Sequence, residues 1–477
     1  MADSKKLTVV VAGATGFVGQ ALPKVLGERF RLIALSRSAT KPMKGYHSLR
    51  RVDLFSLSGT RRALKGADIA IYLVHSMMPS ARLVQGHFSD LDLMCADNFA
   101  KAAKDANVKR IVYVGGLVPE IDEGDLSDHL ASRLEVERAL AGTGVPLTTL
   151  RAGLVLGARG SSYQLMARLV RRLPVMICPS WTRSRMQPVG LRDLLQAIGL
   201  SLENSSTDSH TYDVASGESL SYVQLMKATA RSLGLKRFFL GVPLLSTRLS
   251  RLWVSLTTGA PKALVAPLVE SLKHDMVVRS DPSSKLPGFK PESIWQHLEE
   301  AASSTPRNTP RAFRASKRQS AGDKVHSVQR FGMPQGRSAA WAAECYLRWL
   351  PKAFFGIIRV QFDPELKRYD FYLSGWSRSL LSLQTDESAS HERRHVLRIV
   401  DGLLVFDHDR GHLEFRSTLD QSTLLVAIHD FVPSLPWWLY RISQAQAHLF
   451  VMWRFRRHLD RLERQPVRLP ELGHRSV

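Results

Sequence analysis

The residues best placed to do chemistry come early in the chain. Gly13-Ala-Thr15-Gly16-Phe17-Val18-Gly19 follows the β-branched run Leu7-Thr-Val-Val-Val-Ala12 and precedes the helix-compatible Gln20-Ala-Leu-Pro-Lys-Val-Leu26. Glycines at a strand-to-helix corner allow a tight turn and close backbone approach to a pyrophosphate, whose charge is met by amides at the helix N-terminus. The next apolar run, Leu32-Ile-Ala-Leu-Ser36, ends in Ser36-Arg37. An acid at that distance from the glycines would bind a ribose hydroxyl, whereas an arginine suits a 2′-phosphate, so the spacing predicts NADP rather than NAD. Asp53 and Leu54, in Arg51-Val-Asp-Leu54, fall where an adenine edge would lie. An exposed turn acid accounts for Asp53 equally well.

These residues need a scaffold, and the patterning supplies one. Strand-like runs recur at Ile69-Ala-Ile-Tyr-Leu-Val74 and Arg110-Ile-Val-Tyr-Val-Gly115, with helical stretches such as 90–106 between them. That alternation predicts an α/β doubly wound parallel sheet, a Rossmann arrangement. From about Phe331 the pattern turns to hairpins: Gly356 to Phe362 with Tyr369 to Leu373, Val396 to Phe406 with Leu413 to Thr418, and a further strand from Leu424. A long helix follows Pro436, with Leu439, Ile442, Ala445, Leu449, Met452, Phe455, Leu459 and Leu462 on one stripe. The predicted organisation is therefore 1–300 for an NAD(P)-binding domain with a substrate-pocket subregion at about 153–300, and 301–330 for a basic linker. An α+β domain with an antiparallel sheet and a long C-terminal helix takes 331–465, and 466–477 is a tail.

In order and spacing, residues 7–300 resemble the atypical and extended short-chain dehydrogenase/reductase superfamily. The likeness rests on Gly13-Ala-Thr-Gly-Phe-Val-Gly19, Val52-Asp-Leu54, Tyr72-Leu-Val-His-Ser-Met77, Val112-Tyr-Val-Gly-Gly-Leu117, Leu150-Arg-Ala-Gly-Leu-Val-Leu-Gly157, Gln187-Pro-Val-Gly-Leu-Arg-Asp193 and Tyr212-Asp-Val-Ala-Ser-Gly217. Within it the chain is similar to NmrA-like proteins and nucleoside-diphosphate-sugar epimerases. The resemblance implies NAD(P) as cofactor and a small-molecule substrate. Active members of the family pair a Tyr with a Lys four residues later, the ammonium lowering the phenol pKa for proton exchange. Here the corresponding helix reads His129-Leu-Ala-Ser-Arg133, and Gly115-Gly116 stands where a Ser ends the family's fifth strand.

Three accounts follow from that departure. His129, with the ~6.5 pKa of an unperturbed imidazole, and Arg133 replace the pair, with His75 and Ser76 orienting the substrate from the end of the fourth strand. Alternatively the domain binds NADP(H) without turning it over, as a sensor or lipid-binding module. As a third account, His129 is an ordinary helix-start histidine. In the pocket subregion eight arginines and no acid lie between 151 and 192, and Tyr163, Met166, Met176 and Trp181 suggest an apolar wall. An apolar or isoprenoid-like substrate is as compatible with them as a sugar. The second half resembles, in architecture alone, the START-like helix-grip class, whose cavities hold apolar ligands.

The chain of 477 residues has 66 Lys plus Arg against 43 acids, a net charge of +23. The excess is spread over both halves, with no recognition helix, zinc finger or stacking signature, which argues against nucleic acid as a partner. Three isolated cysteines, Cys95, Cys178 and Cys345, suggest neither disulfides nor a zinc cluster, and the pairs His391/His395 and His408/His412 read as solvated turn residues, so no metal is predicted. No window carries the ~18 consecutive apolar residues of a spanning helix. The expectation is a cytoplasmic protein. Trp437, Trp438, Tyr440 and Trp453 beside Arg454, Arg456 and Arg457 leave open a peripheral contact with an anionic membrane.

Overall fold

The computed structural model describes residues 6–75, 83–204, 206–242, 273–304, 325–407, 411–418 and 421–464. The chain divides into two compact units, 1–77 with 92–319, and 78–91 with 320–477.

In the first unit seven parallel strands form one sheet in the order His210–Val214, Leu147–Ala152, Arg110–Gly116, Ile69–Tyr72, Thr8–Ala12, Arg31–Ser36, Ser48–Arg51. The middle strands are buried on both faces, as their unbroken Val, Ile and Leu content requires. Strand order reverses between Thr8–Ala12 and Ile69–Tyr72, and in a doubly wound sheet ligands sit beyond the carboxyl ends of the strands at that switch. The glycine loop leaves one of these strands and Leu73-Val74-His75 leaves the other.

Local sequence explains how the loop is held. Gly13 has φ +85, and a Cβ on it would stand 3.0 Å from the Leu73 backbone. A Cβ on Gly19 would lie 2.4 Å from the Gly13 carbonyl oxygen. The helix expected over 20–26 is assigned only at Pro23–Leu26. Pro23 has no amide hydrogen to give the Gly19 carbonyl, which instead accepts a 2.6 Å hydrogen bond from the buried Tyr46 hydroxyl. Gly157, the last residue of one family-like motif, is small because the Phe17 ring occupies its Cβ position at 2.5 Å.

The second unit is one eight-stranded sheet in the order Ile358–Asp363, Arg368–Leu373, Leu381–Thr385, Arg394–Asp401, His412–Ser417, Thr423–Phe431, Val325–Gly332, Leu83–Gln85. The first seven pair antiparallel, and Leu83–Gln85 joins Val325–Gly332 in parallel. Helices Ala339–Ala353 and Gln444–Glu463 share a core with one sheet face, centred on Tyr346, Phe415 and Phe455.

Several expectations need correction. The strand Val325–Gly332 takes residues assigned to the linker, while 305–324 and the tail 466–477 lie outside the described residues. Residues 78–91, read as part of the first domain, belong to the second unit. The strand drawn from Val396 to Phe406 ends at Asp401, because Gly402, at φ +135, turns against the Leu380 carbonyl, where a Cβ would meet it at 2.5 Å. The single C-terminal helix is two, Trp437–Ile442 and Gln444–Glu463. Ser443 leaves helical geometry with ψ −88 and its hydroxyl donates to the Leu439 carbonyl, so Ile442 drops out of the buried stripe and is 69% exposed.

Candidate functional site

Beyond the switch point the first unit gathers four titratable or cationic side chains. His75 stands three residues after the strand Ile69–Tyr72, Asp92 is on the helix Phe88–Asp105, and His129 and Arg133 are on the helix Asp128–Ala141. Ser127 caps this last helix by accepting the Leu130 amide hydrogen, and the four-residue step puts His129 and Arg133 on one face. The Asp92 carboxylate is 1% exposed. Its Oδ2 lies 2.6 Å from Arg133 Nη2 and 3.1 Å from His75 Nδ1. Arg133 Nη2 also contacts His75 Nδ1. The His75 and His129 rings are 5.2 Å apart. Behind them Tyr72 packs on Phe99 and Tyr113 at 5.0 and 6.1 Å.

The structure thus brings together His75, His129 and Arg133, which the sequence had singled out, and adds Asp92, which it had not. Ser76 lies outside the described residues. One expectation is reversed. His129 does not keep an ordinary imidazole pKa: burial, with His75 and Arg133 nearby, pushes it down to about 3, so it is neutral at physiological pH. The His75 pKa is also lowered, by burial and the Arg133 charge, against the opposing pull of Asp92. His75 Nε2 and Arg133 Nε are buried with no hydrogen-bond partner among the described residues. Polar atoms in that state are expected to meet a ligand or water.

The loop and its neighbours suit a dinucleotide. Thr15 and Gly16 are exposed, Phe17 and Val18 half-buried, and the Gly16 amide is turned back onto the Gly13 carbonyl at 2.9 Å. Ser36 is buried, its hydroxyl accepting the Ala39 amide hydrogen, while Arg37 is exposed at the strand end. Arg51, opposite Ser36 in the sheet, donates from Nε to the Arg37 carbonyl at 3.2 Å, so a second guanidinium stands at the same corner. Sequence spacing gave no sign of Arg51, because only sheet register places it there. Asp53 accepts the Phe55 amide hydrogen at 3.1 Å, the bond of a local turn. The Leu54 and Phe55 carbonyls accept the buried Asn98 amide, which fixes this edge of the crevice.

Residues 13–171 match the family described as NAD(P)H-binding. A relative, the auxiliary protein GraX of Staphylococcus aureus, is 30% identical over 113 residues, 23% of this chain and 37% of that protein. The chain therefore spans little more than a third of that curated relative. Among solved structures it is similar to the triphenylmethane reductase of Citrobacter sp. complexed with NADP(H), with 20% identity over 61% of this chain and 99% of that one, TM-score 0.48. It is also similar to a nucleoside-diphosphate-sugar epimerase from Staphylococcus aureus, with 17% identity over 62% of this chain and 100% of that one, TM-score 0.49.

Elsewhere in the first unit the family-like motifs do structural work. Gln187 spans Ser216 and Val278 with its side chain, and Asp193 accepts from His297 Nε2 at 2.7 Å and from the Glu292 amide at 3.2 Å. Gly190 is required there, since the His297 ring lies 2.2 Å from its Cβ position. The expected apolar pocket wall is packed away: Tyr163 and Met166 lie in one core cluster, and Met176 lies in another with Trp181 against it. Arg168 is buried as well. Two groups, Asp193/Glu292/His297 and His412/Glu414/His429, have cation-ligand spacing. In the second, both Glu414 oxygens are taken by Arg394, with Arg416 adding a further bond, a charge balance that disfavours a cation. Among the described residues no helix is long and apolar enough to cross a membrane.

Proposed function

We propose that the protein is an NADP(H)-dependent oxidoreductase or isomerase in which a His75–Asp92 dyad, rather than a Tyr-Lys pair, exchanges the substrate proton. One observation carries this reading: among the described residues His75 Nε2 is buried without a hydrogen-bond partner beside the sheet's switch point, while Nδ1 faces a buried carboxylate. The Nδ1–H tautomer donates to Asp92 and keeps its lone pair on Nε2 as a base, whereas the Nδ1 contact with the donor-only Arg133 guanidinium belongs to the other tautomer, whose Nε2–H is the acid of the reverse direction. When bound, the nicotinamide supplies or accepts the hydride. Nε2 then takes the proton of a substrate hydroxyl, or returns it to the oxygen in the reverse direction. Arg133 pairs with Asp92, and its Nε would steady a polar substrate atom. His129, neutral, walls the site. The substrate that this proton exchange requires bears a carbonyl or an alcohol.

Arg37 and Arg51 at one corner, with no acid at the end of Arg31–Ser36, support NADP(H) over NAD(H). Arg37→Glu is expected to weaken NADPH about tenfold or more while changing NADH little, by fluorescence titration. Turnover is tested by NADPH oxidation against a panel of prenyl aldehydes, quinones and sterol ketones. Tight NADPH binding with no oxidation of NADPH by any of them would instead favour a cofactor-sensing module.

A further inference from the structure

The second unit exposes its large apolar side chains in a pattern that the fold does not require. Register places the start of Ile358–Asp363, the end of Arg368–Leu373, the start of Leu381–Thr385 and the ends of Arg394–Asp401 and Thr423–Phe431 at one end of the sheet. The described connections at that end that join or enter strands carry exposed apolar residues, and so does the helix Trp437–Ile442 after the last strand. Phe355 and Ile357 are 90% and 55% exposed before the first strand, and Trp376 is 54% exposed in the next turn. Phe406 is 75% exposed after Asp401, and Trp438 is 68% exposed after Phe431. The opposite end carries Phe362 and Leu366.

The turns are fastened to one another. Ser374 bonds the Ile357 and Gly356 carbonyls at 2.8 and 2.7 Å, the Leu403 amide donates to the Ser379 carbonyl, and the Ser434 hydroxyl donates to the Leu403 carbonyl. Phe355 is held at φ +50, which is unfavourable for a bulky residue and leaves its ring in water. The patch continues onto Gln444–Glu463. Phe354 meets Phe450 at 6.3 Å, Phe450 stacks on Trp453 at 5.9 Å, Arg454 lies over Phe354 and Arg457 over Trp453.

Charge identifies the partner. Lys352, Arg359, Arg378 and Arg441 are exposed on or beside the same turns, and four arginines with no acid lie between 437 and 459. Against them the described turns offer Asp401 and Asp407. Protruding aromatics among guanidinium groups, spread over separate turns rather than lining a groove, match a lipid interface: indole rings seat among headgroups and arginines meet anionic phosphates. We propose that this rim and the outer face of Gln444–Glu463 dock the protein on an anionic phospholipid bilayer. Docking there needs no spanning segment.

The test is flotation of the full-length protein with vesicles of phosphatidylcholine alone or with phosphatidylglycerol as a third of the lipid. The wild type is expected to float with the anionic vesicles, and brominated lipid should quench its tryptophan fluorescence. Phe355→Ser with Trp376→Ser, and separately Arg454→Glu with Arg457→Glu, should each weaken binding about tenfold or more, with NADPH affinity unchanged as a control for folding. No flotation, equal flotation with neutral vesicles, or undiminished binding by the variants overturns the proposal. So does a concentration-dependent dimer that the same substitutions dissociate, which would make the rim a contact between copies of this chain.

Discussion

Asp92 in the first unit and Glu414 in the second are both fully buried carboxylates surrounded by guanidinium and imidazole groups, yet they are built differently. Glu414 projects from the middle of an antiparallel ladder and is bound by Arg394 through both oxygens at 3.0 and 3.1 Å, by Arg416 at 2.5 Å and by His429 at 3.1 Å. His412 stacks on His429 at 4.3 Å. The Glu414 pKa is held well below the usual range, against the cost of burial, by the Arg416 charge, hydrogen bonds from His412 and His429, and the Arg394 charge. Among the described residues Asp92 meets the guanidinium of Arg133, and the imidazole it shares has an Nε2 without a hydrogen-bond partner at the carboxyl end of a parallel sheet. Similar residue types therefore make an ion cluster inside a sheet in one unit and one beyond the strand ends in the other, the place where the proposed chemistry would occur. What separates them is their place: Glu414 is in the middle of a strand among its partners, and Asp92 is on a helix facing an imidazole just beyond a strand end.

The comparison can be broken from either side. Glu414→Gln leaves two buried guanidinium groups with a neutral partner, and should destabilise the second unit by about 3–5 kcal/mol in urea unfolding while NADPH affinity stays as in the wild type. Asp92→Asn should act on chemistry: the neutral amide can turn its NH2 to His75 Nδ1 and fix the other tautomer, and NADPH-dependent turnover should fall about 100-fold at unchanged NADPH affinity. If Asp92→Asn merely unfolds the protein while Glu414→Gln suppresses turnover, the roles assigned to the two clusters are exchanged.

Acid should touch both clusters, and more gently. His129 and His429 each have a folded-state pKa pushed down to about 3 by burial, below the ~6.5 of an unfolded chain. The unfolded state binds the proton first, so their contribution to stability is complete above about pH 6.5 and is lost as pH falls toward 3. By about pH 5 the loss is on the order of 1–2 kcal/mol per imidazole. His129→Gln and His429→Gln should each flatten that part of the stability profile measured by urea midpoints across pH.

The two clusters also show what a sequence can disclose. The glycine loop, Arg37 and the His129/Arg133 pair were legible because their meaning is local: a strand-to-helix corner, a strand end and one turn of helix. Asp92 was not, because it meets His75 across 17 residues through the packing of a helix against strand ends. Nor was Arg51, whose place depends on pairing with Ser36. In the second unit the hairpins were visible, but Leu381–Thr385 is short and polar, and Val325–Gly332 carries His, Gln and Arg that read as linker. The partner strand Leu83–Gln85 lies some 240 residues earlier, beyond any window of local pattern.

The central claim is that His75 carries the proton in an NADPH-dependent reaction. It is tested most directly by single-turnover NADPH oxidation with wild type and His75→Ala at saturating NADPH, with the cofactor's dissociation constant measured on the same samples. The account predicts a rate about 100-fold lower at a dissociation constant within about twofold of wild type. Equal rates, or a rate lost only in step with NADPH binding, would contradict it.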